Sequence, residues 1–226
     1  MKVRVATYNV QSFRSGVDTV VEAIGPEQPD ILLLQECGPR RRLHRFAAAM
    51  EMDVESTNRR FGRVRNAVLS RSPWRSGAVE VGTFVREGRT RARGYIVVHL
   101  RRVGERLAAV SAHLGLSPRE RERHARELTD LLAGIEEPVV VGIDANEGSD
   151  SPAVRWIGER FFDAYLRPDG RSDLTFPARL PVARIDYVFV SEALRPLRAW
   201  VGSNPAVVLA SDHRPVIAEL DVESRT

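Results

Sequence analysis

The apolar residues of this chain fall into short runs that stop at polar residues, and that punctuation restricts the folds open to it. Val3–Tyr8, Ile31–Leu34, Ala67–Leu69, Ala78–Val85, Gly94–Leu100, Leu107–Ala112, Pro138–Ile143, Ile185–Val190 and Val216–Leu220 all read as strands. Most are rich in Val and Ile and about 4–8 residues long, as strands are. Val139–Ile143 is apolar throughout and suits a central strand covered on both faces. Val79-Glu80-Val81 and Val98-His99-Leu100-Arg101 alternate instead, as on a sheet with one wet face. No run approaches the roughly 18 apolar residues of a membrane-spanning helix, so no membrane span is expected.

Helical patterns lie between the runs. Val17, Val20, Val21 and Ile24 recur at helical spacing over Val17–Ile24, and Pro39–Met50 follows a Gly-Pro start. The clearest helix is predicted over Pro118–Leu132. Ser117 can cap it, Pro118 suits its first turn, and Leu128, Leu131 and Leu132 form an apolar stripe. Its Arg119-Glu120-Arg121-Glu122-Arg123 stretch reads as a solvated face of mixed charge. Strands in runs, punctuated by a few helices and without linker or repeat, argue for one layered α/β or α+β domain over residues 1–226.

Charge and cysteine content narrow the setting. The formal charge is +4, and of 34 basic residues only Lys2 is lysine. Arginine clusters at 40–45, 59–65, 86–93 and 101–106 are interleaved with acids or apolar residues. They read either as solvated loops and helix faces or as a surface for phosphate, whose oxygens suit guanidinium forks. The single cysteine, Cys37, excludes an internal disulfide framework and agrees with a reducing compartment. It is read as a small buried packing residue rather than a nucleophile. The N-terminus enters an apolar strand at once and lacks a signal peptide's long apolar core, so a cytoplasmic location is the expectation.

The chemistry sits where the runs end. Asn9 follows the first strand and could be an ordinary turn former. Glu36 ends a strand so apolar that its charge is costly unless paired or bound to a cation. His113 closes another run, where a satisfied core histidine is the plain alternative. Asp144 and Asn146 follow the most buried-looking strand, and alternation points both to one side; an Asx turn is the alternative. Asp186 near the start of an apolar run calls for a partner, and a histidine is a natural one. Ser211-Asp212-His213-Arg214-Pro215 sets an acid beside an imidazole just before the last strand. Carboxylates and amides are hard oxygen donors that favour Mg²⁺ or Mn²⁺, and two histidines add proton transfer near neutral pH.

At these residues the chain closely resembles the endonuclease/exonuclease/phosphatase superfamily, which includes deoxyribonucleases, abasic-site endonucleases, sphingomyelinases and inositol-polyphosphate phosphatases. The resemblance is carried by Thr7-Tyr8-Asn9-Val10, Pro29-Asp30 with Gln35-Glu36, Asn66-Ala67-Val68-Leu69-Ser70-Arg71, Ser111-Ala112-His113-Leu114-Gly115, Gly142-Ile143-Asp144-Ala145-Asn146, Ile185-Asp186-Tyr187-Val188 and the 211–215 pentapeptide, in the family's order. It implies an α/β four-layer αββα sandwich, two packed mixed sheets flanked by helices, with the site at one rim. It also implies roles. Glu36 is the principal ligand of Mg²⁺ (or Mn²⁺), with Asn9 and Asp212 completing or supporting the shell. Asp144 orients and deprotonates the attacking water, helped by Asn146. Asp186 holds His213, which contacts or protonates the phosphate, and His113 binds a phosphate oxygen. Asn66 is a candidate substrate contact.

The implied activity is metal-dependent hydrolysis of a phosphoester, by a phosphodiesterase or phosphatase acting on a small or lipid-derived substrate. A DNA or RNA nuclease is the alternative, and a non-catalytic binding module of the same fold a third. Some positions depart from the family. Gln11 stands where abasic-site endonucleases carry an acid, and His113 where they carry asparagine. Ile143 and Ala145 replace the usual glycine and aromatic around the motif's acid.

Overall fold

The apolar runs become the strands of two facing sheets. The computed structural model describes residues 2–57, 64–165 and 173–222. One sheet contains β1 (Lys2–Asn9), β2 (Ile31–Gln35), β3 (Asp53–Ser56), β4 (Ala67–Ser70), β11 (Leu194–Val201) and β12 (Val216–Val222), in the order β11-β12-β1-β2-β4-β3. The other contains β5 (Arg75–Thr83), β6 (Gly94–Arg102), β7 (Glu105–His113), β8 (Val139–Asp144), β9 (Phe162–Asp163) and β10 (Asp186–Val190), in the order β5-β6-β7-β8-β10-β9. Each sheet has one parallel pair at its centre, β1 with β2 and β7 with β8, and antiparallel neighbours outside it.

Alternation then sorts the side chains into layers. Val3, Val5, Ile31 and Leu33 face the second sheet and meet Ile96, Val98, Ala109, Val140 and Val188 in the central core. Their neighbours Ala6, Tyr8, Leu32 and Leu34 face outward onto α1 (Val17–Ile24) and α2 (Arg40–Ala49), through Val20, Ile24, Leu43 and Phe46. On the far side, Val110, Val141 and Ile143 pack under α3 (Pro118–Leu132) and α4 (Pro152–Gly158). The result is the expected α/β sandwich of four layers, helices outside and sheets within. Ser117 caps α3, its Oγ accepting from Glu120 N, and Ser151 caps α4 in the same way through Val154 N. Cys37 is buried in the α1–α2 layer as a packing residue.

Several boundaries differ from the sequence expectation. β5 begins at Arg75 and ends at Thr83, rather than spanning Ala78–Val85. As an edge strand with a register shift, it is exposed enough for apolar content to mark it poorly. β11 carries Pro196 and two arginines, yet forms at an edge where a bulge between Pro196 and Arg198 accommodates the ring. No helix among the described residues is long and apolar enough to cross a membrane.

Candidate active site

The strand registers carry the polar run-ends to one rim. Asn9 pairs with Gln35, so Glu36 emerges beside the end of β1. His113 pairs with Asp144, and Asp144 pairs with Asp186 on its other side. The segment before β12 closes the rim: the Ser211 hydroxyl donates to the Asn9 carbonyl at 2.7 Å. Five strands and one loop therefore contribute to a single site.

Beneath it, a buried polar pin holds the sheets together. Gln35 Nε2 donates to Ser111 Oγ (3.2 Å), Gly142 O (3.1 Å) and Thr7 Oγ1 (3.1 Å), and Ser111 Oγ donates to Leu34 O (2.6 Å). Gly142 permits this close approach. A Cβ there would stand 2.7 Å from both Leu33 Cβ and Thr7 Oγ1. Asn66 strengthens the same seam, its amide nitrogen donating to Gly94 O and Ser111 O at 2.8 and 3.1 Å. Asn66, the candidate substrate contact, thus commits its amide hydrogens to the backbone while lining the cavity beside Glu36 and His113.

Asp144 is the hub. It is 1 % exposed, and its Oδ2 accepts from Asn9 Nδ2 at 2.8 Å, with His113 Nε2 at 3.1 Å and His213 Nε2 at 3.8 Å. Burial would raise its pKa, but the His113 imidazole, then His213 and the Asn9 hydrogen bond, hold the carboxyl far below the usual range. His213 Nδ1 lies 2.9 Å from Asp186 Oδ2. Burial would lower the imidazole, yet the charge and hydrogen bond of Asp186, with Asp144 and Asp212 nearby, raise it to about 10. The Asp186 carboxyl is itself pushed up, by burial first, against the pull of His213. Phe176 covers this pair, its ring centroid 5.0 Å from that of His213.

Asn146 reaches the rim by a different route from the one alternation implies. The chain leaves β8 and turns, with Asn146 at φ +55°, so its backbone N–H donates to Asp144 Oδ1 (3.1 Å) while its Nδ2 donates to Leu114 O (3.1 Å). The Asx turn, the plain alternative at these residues, is what forms. Left-handed backbone is concentrated here: Gln11, Ser12, Phe13, Glu36 and Asn146 all have positive φ. Such residues cost of order 1–3 kcal/mol each and persist where the surroundings over-determine them. At this rim Ser12 N donates to Glu36 O at 2.7 Å, and Gln11 N to Asn9 Oδ1 at 3.0 Å.

The oxygen donors occupy the wetter part of the rim. Glu36 is 28 % exposed and Asp212 is 42 % exposed at the side chain. With Asn9 they form a hard, oxygen-rich set, the chemistry that Mg²⁺ or Mn²⁺ requires. A second grouping, Asp144, Asp186 and His213, also places ligand atoms within 4.8 Å of one another and could hold a metal ion.

One residue at the centre escaped the sequence reading. Arg93 is buried, and its Nη1 donates to His113 Nδ1 (2.9 Å) and lies 3.3 Å from Glu36 Oε1. Since a guanidinium only donates, His113 Nδ1 accepts and its Nε2 carries the ring proton. Arg93 thus sets the tautomer of a site histidine. Its only sequence signal was membership of the 86–93 arginine cluster; the 59–65 cluster lies largely outside the described residues.

Comparison with known proteins agrees with this fold. Residues 6–213 match the sequence profile of the Endonuclease/Exonuclease/phosphatase family. An endonuclease/exonuclease/phosphatase structure from Bacteroides vulgatus superposes with a TM-score of 0.86 at 20 % identity, covering 99 % of this chain and 100 % of that one. A mannosyl-6-phosphatase from Bacteroides thetaiotaomicron gives 0.78 at 19 % identity, covering 97 % and 99 %. The human Nocturnin catalytic domain, solved with bound sulfate, gives 0.77 at 18 % identity, covering 98 % and 95 %. No curated protein sequence matches the chain.

Proposed function

Because the chain belongs to the endonuclease/exonuclease/phosphatase family, we propose that it is a divalent-metal-dependent phosphoester hydrolase, a phosphodiesterase or phosphatase in which water attacks phosphorus. The observation that carries this reading is Asp144. It is a fully buried carboxylate kept ionised between two histidines, one of which is backed by a second buried acid. The mannosyl-6-phosphatase among its structural relatives supports a compact phosphoester as substrate.

The residues divide the work. Asp144, charged and anchored by Asn9, orients water and takes its proton. His113, with Nε2–H fixed by Arg93, donates to a phosphate oxygen as charge builds there. His213 carries a proton held by Asp186 and delivers its Nε2 proton to the departing oxygen, so the proton lost by water is balanced by one gained by the alcohol. With Nδ1 of His213 committed to Asp186, the Asp144–Asp186–His213 grouping is read as proton machinery. Glu36, with Asn9 and Asp212, is read as the seat of Mg²⁺ (or Mn²⁺). A cation bound there supplies charge neutralisation to the phosphoryl oxygens.

The test is hydrolysis of bis-p-nitrophenyl phosphate and p-nitrophenyl phosphate by the purified chain with Mg²⁺ or Mn²⁺. Release of nitrophenol that is abolished by EDTA and by Asp144→Asn is expected. Hydrolysis that survives both treatments, or none from a broad panel of phosphomonoesters and diesters, would sink the reading.

A further inference from the structure

Several of the arginines elsewhere on this molecule pair with acids. Arg4 and Arg198 share Glu219, Arg45 takes Asp18, Arg121 takes Glu147, and Arg184 takes Asp163. Beside the catalytic rim, arginines without acid partners gather on one cavity. A cavity of about 530 Å³ adjoining Glu36 and His113 is lined by Arg14, Arg65, Arg89, Arg91 and Arg93. Among the described residues Glu36 is the one carboxylate in its wall, and it already faces Arg93. Arg14, Arg65, Arg89 and Arg91 are exposed, and their guanidinium groups make no hydrogen bond or ion pair within the described residues.

The wall of the cavity is also incomplete on the protein's side. Arg93 is 8 % exposed, and its buried Nε–H has no partner. A buried, charged donor left unsatisfied is destabilising until something accepts from it. Arg89 and Arg91 lie in the loop that leads to Arg93, and both line the cavity. Like charges gathered on one concave surface repel one another and concentrate anions. Guanidinium forks match phosphate oxygens two at a time. In the proposed mechanism the scissile phosphate is provided for by His113, His213 and the Glu36 side of the rim, which leaves Arg14, Arg65, Arg89 and Arg91 without a role in it.

We propose that this cavity is a second-phosphate subsite: the substrate is a phosphoester carrying at least one further phosphate close to the one that is cleaved. The proposal rests on the phosphoesterase reading of the adjoining rim. The further phosphate can belong to a small bisphosphate or to the next link of a nucleic acid, and the two sources separate experimentally.

The direct test is calorimetric titration of inorganic pyrophosphate into the full chain in EDTA, with orthophosphate as comparison. Pyrophosphate is expected to bind more tightly. The Arg89→Ala/Arg91→Ala variant, checked for folding by circular dichroism, should bind it at least tenfold more weakly, while the distant Arg45→Ala variant binds it as the parent does. Pyrophosphate binding undiminished in the double variant overturns the proposal.

Turnover provides a second, independent readout. A hexose bisphosphate is compared with the hexose monophosphate, and 5′-phosphorylated dithymidylate with its unphosphorylated counterpart. In at least one pair the extra phosphate should raise kcat/KM about tenfold, mainly through KM, and the double variant should lose that ratio. The pair that shows it identifies the source of the second phosphate. Equal kcat/KM within both pairs, with hydrolysis present, overturns the proposal. Absence of all hydrolysis sinks the phosphoesterase reading instead, and the pyrophosphate titration then decides the subsite.

Discussion

The two sheets meet at one rim, yet they bring different kinds of residue to it. The β1–β2 sheet ends in Glu36 and leads through the loop before β12 to Asp212, oxygen donors that water still reaches. The β7–β8 sheet ends in His113, Asp144 and Asp186, all buried: His113 meets Asp144 and Arg93, and Asp186 holds His213 from the loop before β12. The physical cost of the two halves differs accordingly. Burying charge is expensive unless every group is paired, so the second half has to be built complete. A cation that must shed and exchange water is better served by donors left partly wet. In the proposed mechanism one half is an exchangeable seat and the other a fixed proton relay.

Substitutions can break that contrast. Asp144→Asn removes the relay's hub and is expected to lower kcat by about 10²–10⁴-fold, with an unchanged circular dichroism spectrum and no rescue by added metal. His213→Ala should fall in the same range. Glu36→Gln should behave differently. Losing even a group that only orients a metal ligand weakens metal binding by about 10–100-fold, so its apparent affinity for Mg²⁺ should drop at least tenfold. High Mg²⁺ should then restore much of the rate, as a metal titration of activity would show. If excess metal rescued Asp144→Asn as readily as Glu36→Gln, the division between the halves would be lost.

Weaker effects sharpen the comparison. Gln35→Ala severs the pin between the sheets and strands Ser111 and Thr7, which should remove about 1–3 kcal/mol of stability in urea unfolding. The smallest effect belongs to an acid of the first sheet far from the rim. Hydrogen bonds from Arg198 and Arg4 lower Glu219 from 4.5 to about 2. A depressed carboxyl contributes stability above its unfolded pKa and loses it as pH falls through the folded one. The difference in Tm between the parent and Glu219→Gln should therefore be small at pH 6 and close between about pH 4.5 and 2. A gap that persisted at pH 2 would show that the carboxylate's charge is not its source.

What the sequence revealed follows from the same physics. Glu36, His113, Asp144 and Asp186 were legible because a charge at the end of an apolar run is conspicuous. The central strands were legible because burial on both faces leaves unbroken Val and Ile, as in β8. Edge strands obey weaker constraints. β11 hides behind Pro196 and its arginines, and β9 is only two residues long. Arg93 was invisible for the opposite reason: it sits among similar neighbours, and only the tertiary fold distinguishes the arginine that turns inward. At Asp144–Asn146 the alternative Asx turn forms instead of the expected same-side pair, because alternation holds only while backbone stays extended.

The position of β12 has one more consequence. It lies in the middle of the first sheet, pairing residues 216–221 with residues 2–7, and the loop before it carries Asp212 and His213. During synthesis β1 must wait for nearly the whole chain before its outer neighbour arrives, and such distant pairings are slow to form. Until then Asn9 lacks Ser211, and Asp186 lacks its imidazole. Under the proposed mechanism a nascent chain is expected to be inert toward phosphoesters, and the onset of turnover in a refolding experiment would time the insertion of the last strand.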